Sequence, residues 1–175
     1  MKNKLYILLT FFTSLSFTLN AQINYLTANE FSKTKINNVN IIDISSTRGD
    51  VGEMQNLFSN SLTVKQGYSE ALEFWIEFST QSLSIKFYHG IQENSKILYD
   101  LGSIDILNSS SNIMLLEKTI KIGDDDSFLS NLNSRTFNNE NIFTFTMHNI
   151  DEYIFIYVDN LSGKVIKIGY DGNLL

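Results

Sequence analysis

Three sets of residues are of types that could do chemistry. Asp124-Asp125-Asp126 follows Gly123 and precedes Ser127. Adjacent carboxylates could offer oxygens to calcium, which takes about 6–8 of them, but the string lacks the alternating spacing and distal glutamate of an EF-hand loop. The competing reading is a solvated turn whose acids favour the N-terminus of a following helix. Glu73, Trp75 and Glu77 share one face of an alternating run, with Tyr88 opposite in the next one. Exposed aromatics on a sheet anchor protein or glycan partners, so these four residues form a candidate binding surface; the competing reading packs Trp75 under a helix. As an acid/base pair the two glutamates fail. Two pleats separate them by roughly 13 Å, beyond the roughly 6.5–9.5 Å of an inverting carboxylate pair. His89 and His148 are the third candidate, and a histidine general base needs a carboxylate or substrate within hydrogen-bond reach.

Other chemistry is excluded by residue type or spacing. With no cysteine and two histidines, a structural zinc site would need carboxylates to complete its four ligands. No Gly-x-Ser-x-Gly elbow, dinucleotide fingerprint or phosphate-binding loop occurs, and no cofactor is implied. Arg48-Gly49-Asp50 is a bare three-residue match to an integrin-type tripeptide.

The elements that must position these residues begin after a leader. Lys2 and Lys4 precede an apolar run from Leu5 to Leu19, and Asn20-Ala21-Gln22 is a plausible cut. This order of basic, apolar and small residues predicts a signal peptide over 1–21. The run is shorter than the roughly 20 apolar residues of a membrane span and is broken by Thr and Ser. The expected product, 22–175, is a single domain that is periplasmic or secreted and has no membrane anchor after processing. Without Lys2 and Lys4 the 13 basic residues fall to 11 against 19 acidic ones, a net charge of −8. That balance argues against nucleic acid, whose phosphates must be neutralised, and favours a basic partner. An exported chain without cysteine must be stabilised by apolar burial, not disulfides.

Periodicity then divides the chain. Thr27 or Asn29 could cap a short helix, and β-branched Val39 to Ile44 predicts a strand. Val51, Met54, Leu57 and Phe58 lie on one helical face, with Asp50 and Glu53 at capping-box spacing. Glu70–Thr80 and Leu83–His89 alternate cleanly with period two, as half-buried antiparallel strands do. Lys96–Leu107 is a third strand, interrupted by Gly102, which suggests a bulge. Met114–Ile122 predicts a strand, Ser127–Leu132 a short helix and Arg135–Asn141 a loop. Ile142–Met147, Glu152–Asp159 and Lys164–Tyr170 predict strands, the last two joined at Asn160–Gly163. With no proline in the chain, turns must be built from Asn, Gly, Asp and Ser.

The two halves thus share an order, and the expected fold is α+β: two tandem units of short helix plus three-stranded antiparallel meander, over about 39–112 and 113–175. Gly49 and Leu57-Phe58 in the first unit, Gly123 and Leu132 in the second, and Gly163-Lys164-Val165 before the closing strand resemble small tandem periplasmic modules. These are of the beta-lactamase-inhibitor-like and outer-membrane-assembly-lipoprotein-like type. The resemblance, over roughly Val39 to Tyr170, implies protein binding without catalysis. The expected function is a non-enzymatic extracytoplasmic binding or accessory protein acting on another envelope or secreted protein through a sheet face or edge. A small secreted hydrolase is the alternative.

Overall fold

Turn and cap chemistry sets most element boundaries in the computed structural model, which describes residues 23–69, 73–93, 96–148 and 151–172. The expected leader lies outside the described residues. Strand β1 is Ile23–Leu26 and helix α1 is Ala28–Ser32. Thr27 caps α1 in a capping box, its hydroxyl accepting from Glu30 N at 3.2 Å while the Glu30 carboxylate accepts from Thr27 N at 2.7 Å. The backbone and hydroxyl donors of Thr27 hold the Glu30 carboxyl below its usual range. β2 (Lys35–Ile36) and β3 (Val39–Asn40) reverse on Asn37-Asn38. Both asparagines have positive φ, 48° and 70°, the pair of left-handed residues that a tight primed turn requires.

Asn40 then caps α2, Ile41–Ser46, accepting from Ile42 N at 2.8 Å. The expected strand Val39–Ile44 is therefore two strand residues followed by a helix. Its β-branched residues favour a strand only weakly, and the cap plus burial of Ile41 and Ile44 outweigh them. α3 is Val51–Leu57, with Asp50 accepting from Glu53 N at 3.1 Å, as the spacing predicts.

Four antiparallel strands follow: β4 (Thr63–Ser69), β5 (Glu73–Ser79), β6 (Leu83–Glu93) and β7 (Lys96–Ile106). β8 (Ile113–Leu115) and β9 (Lys118–Ile120) replace the single strand expected over Met114–Ile122. The chain reverses between them on Leu116-Glu117, both at positive φ, a turn that composition does not announce. A 3-10 turn, Asp126–Leu129, stands where a short helix was expected. The expected loop Arg135–Asn141 is instead a hairpin, β10 (Arg135–Phe137) into β11 (Glu140–Met147), turning on Asn138-Asn139. β12 (Glu152–Asp159) and β13 (Lys164–Gly172) form the expected last hairpin, with Gly163 at φ 63°. There the Asp159 carboxylate accepts from the Ser162 hydroxyl and amide, at 2.6 and 2.9 Å, which holds its carboxyl below the usual range.

The expected pair of tandem units is not what these elements build. The strands form one nine-stranded sheet in the order β1-β11-β12-β13-β7-β6-β5-β4, with β10 also on β11, and a four-stranded sheet β3-β2-β8-β9. The molecule is mostly sheet. Two features overturn the repeat. β13 pairs with β7 antiparallel, Ile168 opposite Ile106 and Tyr170 opposite Ile104, so the meanders fuse into one surface. β1 then joins the far side in parallel with β11. The shared helix-then-strands order reflected local chain reversals, whereas pairing across the seam is a long-range choice.

One face of the large sheet is the core face. Ile76, Phe78, Leu83, Ile85, Phe87, Ile104, Phe145, Ile154, Ile156 and Ile168 are all buried there. They join a single apolar cluster with Phe31 of α1, Ile41 and Ile44 of α2, Met54 of α3, and Ile36, Ile113, Leu115 and Ile120 of the small sheet. Burying each such large side chain is worth about 1.5–3 kcal/mol. The helices and the small sheet therefore supply the cover that a one-sided apolar sheet needs.

Candidate functional site

The opposite face of the large sheet carries the alternate residues of every strand. On β5 the core takes Ile76 and Phe78, so Trp75 and Glu77 point outward and are half-buried. Tyr88 of β6 shares that outer face, because Ile76 is opposite Phe87 and Glu77 opposite Lys86. Glu73 begins β5 opposite Ser69; its side chain lies outside the description. Trp75 does not pack under a helix.

Trp75 and Tyr88 do not stack on each other. Each lies over a glycine of its other neighbouring strand. A Cβ on Gly67 of β4 would meet Trp75 Cζ2 at 2.6 Å, and one on Gly102 of β7 would meet Tyr88 Cδ2 at 2.0 Å. Gly67 is the cross-strand partner of Trp75, and Gly102 is the extra residue where the β6–β7 register shifts. A third pair repeats the device: a Cβ on Gly169 would meet Phe155 Cζ at 2.3 Å, and these residues are opposite each other on β13 and β12. Phe155 and Tyr157 meet edge to face at 5.6 Å, with the Lys167 ammonium over both rings at 5.1 and 5.3 Å. Sequence reasoning missed Phe155, Tyr157 and Lys167. The alternation of Glu152–Asp159 was a usable signal, since it puts Tyr153, Phe155 and Tyr157 on one face.

Polar residues fill the spaces between rings. Glu77 accepts from the Ser84 hydroxyl at 2.8 Å. In register across the sheet stand Lys65, Glu77, Lys86, Ser103 and Asp171, on β4, β5, β6, β7 and β13. β4 ends the sheet path, and its Tyr68 is 65% exposed.

The other candidates have local structural roles. Asp124 Oδ2 accepts from Lys121 N at 2.8 Å, Asp125 pairs with Lys164 at 2.7 Å, and Asp126 N donates to Gly163 O at 3.0 Å. Among the described residues no group of three or more His, Cys, Asp or Glu is gathered to hold a metal. The Asp124 and Asp125 carboxylates and the Asp126 amide thus serve the turn that docks the β9–β10 connection on β13. His148 stacks on Tyr25 at 4.0 Å. His89 sits at positive φ in the β6 bulge, and its Nε2 is buried without a hydrogen-bond partner. Arg48-Gly49-Asp50 is a structural corner. Arg48 Nε donates to Tyr99 O at 2.7 Å, its guanidinium meets Asp100 at 3.1 Å, and Asp50 caps α3.

A cleft of about 600 Å³ lies between the helices and one end of the sheet, with Phe31, Ile41, Met147, Glu152 and Tyr170 among its walls. Burial, reinforced by Glu152, pushes the Tyr170 phenol far above its usual range. Ser46, also in the wall, donates its hydroxyl to Ile42 O at 2.7 Å. The serine is therefore engaged in a helical back-bond.

No protein-family model, curated protein or solved structure matches this chain. Among the described residues no helix is long and apolar enough to cross a membrane.

Proposed function

We propose that this chain is a non-enzymatic binding or accessory protein that acts outside the cytoplasm, in the periplasm or as a secreted product, through the outer face of its large sheet. The observation that carries this reading is the set of aromatic rings laid over glycines on that face, with Trp75 and Tyr88 at its centre. A ring seated on backbone is held without a deep pocket and keeps its other side for a ligand, and such rigid aromatics supply most of the energy at recognition surfaces. β4 offers a second contact, because an edge strand's free amides and carbonyls can pair with an extended segment. The partner is another envelope or secreted component.

The hydrolase alternative lacks a supporting arrangement. His148 is occupied by a ring stack, and the free nitrogen of His89 faces no carboxylate within hydrogen-bond distance among the described residues. Capture from envelope extract on the immobilised exported chain tests the binding reading. Trp75→Ala is expected to abolish capture while leaving the thermal melt cooperative. Undiminished capture by a folded Trp75→Ala variant overturns the assignment to this face.

A further inference from the structure

We propose that the outer sheet face binds an uncharged polysaccharide, laid across the strands from β4 towards β13. This rests on the sheet-face reading above and names the chemistry of its ligand.

Two parallel features of the face carry the inference. The first is the seating of the rings. Trp75 lies across Gly67 with three ring atoms at 2.6–3.0 Å from where a Cβ would be, and Tyr88 lies across Gly102 in the same way. Each ring is thus packed against backbone, while part of its surface stays open, since both residues are only half-buried. The π-face of an aromatic ring is electron-rich and attracts weakly positive C–H groups. A pyranose ring presents such C–H bonds on one side and hydroxyls around its rim. β4 and β7 are separated by two strands, which puts the two platforms roughly 14 Å apart at the usual strand spacing. A single sugar cannot touch both, whereas a chain of sugars can.

The second is the charge pattern. The row Lys65, Glu77, Lys86, Ser103, Asp171 alternates in sign and sums to zero, although the whole chain carries −6. The adjacent row brings Thr63, Ser79 and Ser84 into register with Asp105. A polyanion would meet Glu77 and Asp171 as well as the lysines, and a polycation the reverse, so neither gains from this face. A ligand that is uncharged but donates and accepts hydrogen bonds all along its length, as a neutral glycan does, matches alternating donors and acceptors.

The test is affinity electrophoresis of the chain, purified after export, in gels containing hydroxyethyl cellulose, amylose or laminarin, with anionic alginate as a control. Retardation by at least one neutral polymer is expected, unchanged between low and high salt and absent with alginate. Trp75→Ala should weaken it about tenfold, the loss of one good aromatic anchor, Tyr88→Ala should weaken it less, and Trp75→Phe should retain most of it. Thermal melts establish that each variant is folded. No retardation by any of the three neutral polymers overturns the proposal, as does retardation unchanged in both alanine variants. Capture of an envelope protein that depends on Trp75, without glycan retention, overturns the glycan and leaves the sheet-face reading standing. Loss of both removes both.

Discussion

The two borders of the large sheet are built differently. On one side β11 is flanked by β1 in parallel and by β10, and the inward residues beside it, Phe145, Ile154 and Ile156, are wholly buried. On the other side the path stops at β4, where Val64 is half-buried, Gln66 is exposed and Tyr68 is mostly exposed. Lys65 stands on that edge, a charge of the kind that discourages edge-to-edge aggregation. The first border therefore ends on two short strands, β1 of four residues and β10 of three, beside a fully buried interior, while β4 offers a seven-residue edge over a half-covered one.

Substitutions on the two sides should separate these roles. Ile154→Ala in the buried interior beside β11 is expected to cost about 2–5 kcal/mol, whereas Val64→Ala on the β4 edge should cost about 1 kcal/mol or less. Urea denaturation followed by fluorescence and circular dichroism checks this. Both variants should unfold in one coincident transition, because the β7–β13 seam makes a single sheet; two separated transitions would show that the meanders fold independently. The glycines give a finer comparison. Gly169→Ala brings a Cβ within 2.9 Å of the Ile104 carbonyl, which cannot move away, as well as against Phe155. It should cost about 1–3 kcal/mol. Gly67→Ala meets only Trp75 among its nearest neighbours, and a ring at the open edge can shift. Its cost should be smaller, but it should weaken ligand capture by tilting that ring; equal stability losses at the two sites would end the distinction between borders.

The smallest expected effect is with pH. The Tyr170 phenol on β13 is raised above the ordinary tyrosine value of about 10 by burial and by Glu152, and burial alone raises Tyr99 on β7. A folded-state pKa above the unfolded one means that the unfolded chain loses its proton first. This contribution is thus intact below pH of about 10 and shrinks as pH rises above it. Tyr170→Phe should flatten the fall of the urea midpoint at alkaline pH without removing it, since Tyr99 remains. An unchanged slope would show that the phenol is not sequestered.

Legibility in the sequence followed the range of the interaction. Thr27 and Asp50 were readable as caps because their partners, Glu30 and Glu53, are three residues away. Trp75, Glu77 and Tyr88 were readable as one surface because strand alternation is local. β4 was not readable: its inward positions are Val64, Gln66 and Tyr68, and such a half-covered edge has little apolar periodicity to detect. The hairpin at Leu116-Glu117 was hidden because neither residue type favours left-handed backbone. The aromatic–glycine pairs were invisible, since Gly67, Gly102 and Gly169 are ordinary glycines until cross-strand register brings a ring to each.

By itself the sequence determined the caps, the period-two strands with their inner and outer residues, and the final hairpin, because these depend on neighbours a few residues apart. Only the tertiary structure decided that β13 joins β7, that one border ends on β1 and β10 and the other on β4, and that Trp75 and Tyr88 lie apart on separate glycines. Those choices are made by backbone hydrogen bonds between segments far apart in the chain. A strand's own alternation states which side is buried, but not which strand lies beside it.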